Sequence, residues 1–139
     1  MTDDQSSSAT AYLHGTMPFA KACGIRISAA TPAEVHGEMD WAPDLCTVAG
    51  VMHGGALMTF ADTIGATCAA MNLPAGATTT TVESKTNFFR ALRGGHAHAV
   101  ATPLHVGRTL IVVQTDIRDD EKRRVALVTQ TQAVLITAR

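Results

Sequence analysis

Val51-Met52-His53-Gly54-Gly55-Ala56-Leu57-Met58-Thr59-Phe60-Ala61-Asp62 is the stretch on which the reading of this chain turns. A His-Gly-Gly step opens a run of small and apolar residues, and a single acid lies two turns further in. Continued to Met71, the run places Leu57, Phe60, Ala61, Ile64, Cys68 and Met71 at i, i+3, i+4, i+7, i+11 and i+14. That spacing is one apolar face of an α-helix and predicts a helix from about Met52 to Met71. Asp62 is the only charged residue between Asp44 and Glu83, so the helix is expected to be buried on most sides. Alanines, threonines and Gly65 keep it thin, and a lone carboxylate there must be paired, hydrogen-bonded or functional.

The spacing carries a second implication. Free N–H groups at a helix start form an anion site. Asp62 lies eight residues beyond Gly54, about 12 Å along the axis. An acid of the same chain cannot act on a group held at the helix start, so a shared site needs a second copy of the helix. The alternative is structural: a helix start, glycines for packing, and Asp62 bonded to a neighbouring threonine.

Working outward, residues 1–10 are expected to be disordered, with one domain from 11 to 139. Residues 11–22 suit a short helix with Leu13, Met17 and Ala20 or Lys21 on one side, Ile25 to Ser28 a strand, and Glu34 to Trp41 a half-exposed strand. Asn72-Leu73-Pro74-Ala75-Gly76 stops the long helix. Thr78 to Phe89 is rich in β-branched and aromatic residues and reads as a strand. His96 to Val106, Arg108 to Arg118 and Arg124 to Thr137 supply three more, with Pro103 marking a bulge or edge. An antiparallel sheet wrapped round one long apolar helix is the economical packing, an α+β fold.

The chain has 139 residues and a formal net charge of −1, with no basic footprint for nucleic acid. No apolar run approaches the ~20 residues that span a bilayer. The acidic, polar start is unlike a signal peptide, so a cytoplasmic location and no membrane partner are expected. Cys23, Cys46 and Cys68 form no CxxC and are expected to be reduced, buried small hydrophobes.

The helix opened by His53-Gly54-Gly55 with Ala61-Asp62-Thr63 inside it, the strand Glu83-Ser84-Lys85-Thr86-Asn87-Phe88-Phe89-Arg90, and the strand start Val106-Gly107-Arg108-Thr109-Leu110 together resemble the hotdog-fold acyl-CoA thioesterases. The likeness runs over residues 20–137 and is nearest to the phenylacetate-pathway and 4-hydroxybenzoyl-CoA thioesterase branch. It implies a hotdog fold and hydrolysis of an acyl-CoA, with an aromatic or medium-chain acyl group, to free acid and coenzyme A. It further implies homodimers with shared active sites, paired into tetramers. The Gly54 N–H would polarise the thioester carbonyl. Asp62 of the partner subunit would be nucleophile or general base, and His53 would orient the helix start. Gly55 would line the substrate site, and Thr81 would add a hydroxyl. Thr47 stands where the family often has Asn or Gln, and a hydroxyl cannot make the same two-headed amide contact. Arg90, Arg108 and Thr109 fall where the family tends to hold the coenzyme A phosphates.

The chemistry also stands on the residues. Thioester attack creates an oxyanion that a helix-start N–H can stabilise, and an aspartate in reach can attack or deprotonate water. No metal or organic cofactor is called for. His96 and His98 share one strand face with His105 on the other. No local carboxylate or cysteine completes a metal site, so solvated histidines are expected. Arg118 to Arg124 mixes charge signs and reads as a solvated hairpin. There is no GxSxG, GxGxxG or GxxxxGK[ST] motif. Two other functions share the fold-level reading: a hotdog enoyl-CoA hydratase or dehydratase, which needs an acid–base pair beside the acyl chain, and a non-catalytic acyl-CoA-binding module.

Overall fold

In a computed structural model, residues 1–137 are described; the last two residues of the expected domain lie outside them. Helices α1 (Asp3–Thr16) and α2 (Pro18–Ala22) lead into strands β1 (Arg26–Ala30) and β2 (Val35–Asp40). Helix α3 (Gly54–Ala70) follows, then β3 (Ala77–Phe88), β4 (His96–Val106), β5 (Leu110–Arg118) and β6 (Arg124–Ile136). The strands form one antiparallel sheet in the order β1-β2-β4-β5-β6-β3. Helix α3 packs on one face of the sheet and carries the chain from β2 to β3 at the far edge.

Strict alternation builds the floor beneath α3. Ala97, Ala99 and Ala101 of β4 are buried, as are Ile111, Val113, Thr115 and Ile117 of β5. The alanines let the helix sit close, and the larger side chains of β5 fill the space beside it. Leu57, Phe60, Ala61, Ile64 and Cys68 of the predicted apolar face are buried. Met71 is 42% exposed, because the helix has ended and the chain is turning toward Asn72. The Cys68 thiol, buried in this layer, has its pKa pushed up to about 11 by desolvation. Cys46 is only half-buried, in the loop before α3, where its thiol donates to the Ala42 carbonyl. A register shift between Pro103 and His105 marks the bulge expected at Pro103.

The expectation of a disordered stretch over 1–10 is corrected. A capping box at Thr2 and Gln5 starts α1, with Asp3 and Asp4 in its first turn. The helix docks through polar side chains. The Thr10 hydroxyl accepts from the Ile27 N–H (3.0 Å) and donates to the Ile27 carbonyl (3.2 Å). Ser6 donates to the same carbonyl, and the His14 ring bonds the Ile25 carbonyl at 2.6 Å. Side chains of α1 thus stand in for a further strand along β1. No helix of the described residues is long and apolar enough to cross a membrane.

Candidate active site

His53 is the N-cap of α3, and its Nδ1 accepts the Gly55 N–H at 2.7 Å. Nδ1 is therefore unprotonated, and the neutral ring carries its proton on Nε2. The N–H groups of Ala56 and Leu57 bond back to the His53 carbonyl. Among the described residues, the Gly54 N–H is thus the amide of this first turn left without a partner. The Phe88 ring packs against Gly54; a Cβ there would lie 3.0 Å from it. The Gly55 amide, expected to face substrate, is engaged by His53. The loop before the helix folds back through a Cys46–Met52 bridge, with the Thr47 N–H donating to the Val51 carbonyl. Thr47 is exposed, and its hydroxyl has no hydrogen-bond partner among the described residues.

Two turns on, Asp62 faces the far edge of the sheet. Its Oδ1 accepts from the Thr81 hydroxyl at 2.8 Å and from Gln130 Nε2 at 3.1 Å. Its Oδ2 has no partner among the described residues and remains accessible. Two donors on one oxygen fix the carboxylate plane and leave the other oxygen able to react. The chain continues behind Thr81: Gln132 Nε2 donates to the Thr81 hydroxyl (2.7 Å), and Thr79 donates to Gln132 Oε1 (3.1 Å). A register shift between Thr81 and Glu83 leaves Val82 unpaired, a bulge at the point where Thr81 meets Asp62. Gln130 reaches Asp62 because Gly65 has no Cβ; a methyl group there would collide with its amide oxygen.

The sequence placed the Thr81 hydroxyl at the site by resemblance and offered an unnamed threonine as a partner of Asp62 in the structural alternative; it did not reveal Gln130 and Gln132. Both are fully buried on β6 and occupy inward positions in line with Val128. An amide where alternation calls for an apolar side chain is a signal that a polar group waits inside. A cavity of about 490 Å³ opens beside Thr81 and Gln132, between α1 and α3, with Tyr12, Leu13, Met17 and Ala66 on its apolar walls.

The arginines are not brought together. Arg90 follows Phe88, and its N–H bonds the Val125 carbonyl at the start of β6. Thr109 accepts from the Val134 N–H near the end of β6, and Arg108 lies beside Leu73 and Pro74, past the end of α3. Nine residues of β6 separate these anchors, roughly 30 Å of strand. Within one chain, Arg90 therefore does not meet Arg108 and Thr109.

The expectation that no carboxylate completes the strand histidines also fails. Asp120, in the turn between β5 and β6, bonds His98 Nε2 at 2.7 Å and His96 Nδ1 at 3.1 Å. His98 and His96 together hold the Asp120 carboxyl below the usual carboxylate range. Nor is the hairpin solvated throughout. Asp119 is buried and accepts from the N–H groups of Glu121 and Arg123 and from the Arg123 guanidinium.

Residues 49–126 match the family described as the thioesterase superfamily. A Mycobacterium tuberculosis protein named "Putative esterase Rv1847" is 30% identical over 124 residues, 87% of this chain and 89% of that one. A Haemophilus influenzae protein named "Putative esterase" is 38% identical over 74 residues, and the match spans about half of each chain, 53% and 54%. A solved structure described as thioesterase HI1161 from Haemophilus influenzae superposes with a TM-score of 0.83 at 30% identity, covering 87% of this chain and 85% of that one. With an antiparallel sheet round one long helix and the match running through His53, Gly54 and Asp62, the chain belongs to the thioesterase superfamily and has its hotdog fold.

Proposed function

We propose that the chain hydrolyses acyl-CoA thioesters at sites shared between two copies. The observation that carries this reading is the Asp62 carboxylate, held at Oδ1 by Thr81 and Gln130 and open at Oδ2, on a helix whose own start presents the unpartnered Gly54 N–H. The two lie about 12 Å apart along one helix, so the Gly54 of one copy works with the Asp62 of the other. In that arrangement the thioester carbonyl oxygen accepts from Gly54. Asp62 Oδ2 either attacks the carbonyl carbon or takes the proton of a water that does. The tetrahedral oxyanion is stabilised by Gly54 and by the partial positive charge of the helix start. Its collapse breaks the C–S bond; the thiolate leaves as coenzyme A and picks up a proton. If Asp62 has attacked, water then cleaves the acyl-aspartyl anhydride to the free acid.

Support for the pairing comes from β3, which bonds only to β6 and leaves its outer edge free among the described residues. The same strand carries Thr81 and Phe88, so a second copy along this edge meets both halves of the site. The cavity beside Thr81 lies within the usual range for small-ligand pockets and suits an aromatic or medium-length acyl group. The family branch named above, the pairing of dimers into tetramers and a cytoplasmic setting belong to this proposal. In the dimer, Arg90 of one copy and Arg108 of the other are the cations offered to coenzyme A phosphates. The reaction calls for no metal and no organic cofactor.

A panel of acyl-CoAs read by thiol release tests the proposal. Coenzyme A should be freed well above the spontaneous rate, most rapidly from aromatic or medium-chain thioesters. Enoyl absorbance change without thiol release would make the protein a hydratase, and tight binding with neither signal would make it a binding module.

A further inference from the structure

The face of the sheet turned away from α3 carries a cluster that the hydrolytic site does not use. On β4, His96 and His98 alternate with the buried Ala97 and Ala99, so both rings point to the outer face. The ring centroids lie 6.0 Å apart. Asp120 comes from more than twenty positions away, at the tip between β5 and β6. Its Oδ1 bonds His98 Nε2 at 2.7 Å, and His96 Nδ1 lies against both carboxylate oxygens, 3.1 Å from Oδ2 and 3.2 Å from Oδ1. One donor atom from each of the three residues falls within 4.8 Å of the others.

The backbone is shaped for this approach. The His96 N–H donates to Asp120 Oδ2 at 3.1 Å. Gly95 has a φ of +68°, where a side chain is strained, and a Cβ at that position would collide with the same carboxylate. The ring nitrogens that face away from Asp120 each face another carboxylate. His96 Nε2 lies 3.7 Å from Asp40 Oδ1, and His98 Nδ1 lies 3.6 Å from Glu38 Oε1. Two imidazoles turned toward a common carboxylate, each backed by a second carboxylate, is the outer-shell pattern that orients metal-binding histidines. Arg26 neutralises part of the acidic surround, bonding Asp40 at 2.8 Å and Glu38 at 3.5 Å, which leaves Asp120 as the acid aimed at both rings.

We propose that His96, His98 and Asp120 form a binding site for one divalent transition-metal ion of the zinc or nickel kind. The two imidazole nitrogens favour such ions over magnesium or calcium, which prefer all-oxygen sets. The ion takes the place of the protons now shared with Asp120. Zinc ligands lie about 2.0–2.2 Å from the ion, so His98 Nε2 and the Asp120 carboxylate, now 2.7 Å apart, open by small side-chain rotations to admit it between them and His96. The fourth position is left for water. Bound there, the ion ties the β5–β6 tip to β4 and acts on stability, on the face of the sheet opposite Asp62.

The test uses the full chain, stripped of metal by chelator and dialysed, then titrated calorimetrically with zinc chloride, nickel chloride and magnesium chloride separately. The expected result is saturable uptake of one zinc per chain in the micromolar range or tighter, similar behaviour with nickel, and none with magnesium. His98→Gln and Asp120→Asn should each weaken zinc binding by at least ~10-fold. The thermal midpoint should rise with zinc in the parent chain and not in these variants. His105→Gln, at the far end of β4, should bind as the parent does. No saturable zinc uptake, uptake indifferent to His98→Gln and Asp120→Asn, or equal loss in His105→Gln would overturn the proposal.

Discussion

The two edges of the sheet are treated in opposite ways. β1 is short, and α1 lies along it with Ser6 and Thr10 bonded to its backbone at Ile27 and His14 to the Ile25 carbonyl just before it. β3 is more than twice as long and has no element on its outer side among the described residues. An uncovered edge is a template for another chain, and proteins normally blunt or cover it. Here the chain covers the edge that carries no chemistry and leaves open the one that holds Thr81 against Asp62 and Phe88 against Gly54. The contrast supports reading the open edge as the meeting line of two copies and the covered edge as its protected counterpart.

Asp62→Asn should have the largest effect. It keeps the shape of the side chain but removes the reactive oxygen, so turnover of a good acyl-CoA should fall by at least ~10². Light scattering should find the assembly intact. Activity within a few-fold of the parent would remove Asp62 from the chemistry and leave the open edge without its purpose.

A pair of exposed hydrophobic residues, one on the open edge and one on a helix away from it, probes the role of β3. Val82 on β3 is 62% exposed and Phe19 on α2 is 66% exposed. If β3 is the meeting line, Val82→Lys places a charge in the contact between copies and should raise the dimer dissociation constant at least ~10-fold. Phe19→Lys should leave association unchanged. Equal responses in analytical ultracentrifugation would mean that β3 is not the meeting line.

Within the site, Thr81→Val deletes one of the two hydrogen bonds that hold Asp62 Oδ1. Losing a hydrogen bond to a charged group is worth about 1.5 kcal/mol, or roughly tenfold in turnover. The Michaelis constant should change less than turnover does, since Thr81 acts through Asp62. On the other edge, Thr10→Val strips the Ile27 N–H of its acceptor. The cost should be about 1–2 kcal/mol of stability and should be read as a lower thermal midpoint, with association and turnover untouched.

The features legible in the sequence are those set by local period. The buried face of α3 follows from apolar spacing, the strands from alternation and β-branching, and the bulge from Pro103. The lone charge of Asp62 within an otherwise uncharged helix also marks itself. What escaped was set by tertiary approach or by polar contact. Helix α1 docks through a serine, a threonine and a histidine, with Leu13 its buried side chain, so no apolar stripe announces it. Asp120 reaches His96 and His98 only because β5 lies between β4 and β6 and returns its tip to the start of β4. The separation of Arg90 from Arg108 follows from the same topology, which sends the two turns to opposite ends of β6. Gln130 and Gln132 were visible as residues, but their meaning depended on Asp62 lying opposite them.

The central claim is that Gly54 of one copy serves Asp62 of the other, and complementation between two dead variants tests it most directly. Gly54→Pro removes the unpartnered N–H. Proline is tolerated at a first helical position, and His53 already has the extended ψ of 134° that a following proline requires. The added Cβ would press on the Phe88 ring at 3.0 Å, which must give by a few tenths of an ångström. Loss of one oxyanion donor should cost ~10²–10³ in rate, and Asp62→Ala deletes the acid. Each variant alone should be nearly inactive while retaining its assembly by light scattering. Unfolded together and refolded as a mixture, about half the dimers should be mixed, each with one site carrying both defects and one carrying neither. Roughly a quarter of the parent activity should then return. A mixture that recovers its fold and assembly but stays as inactive as either variant would contradict the shared site.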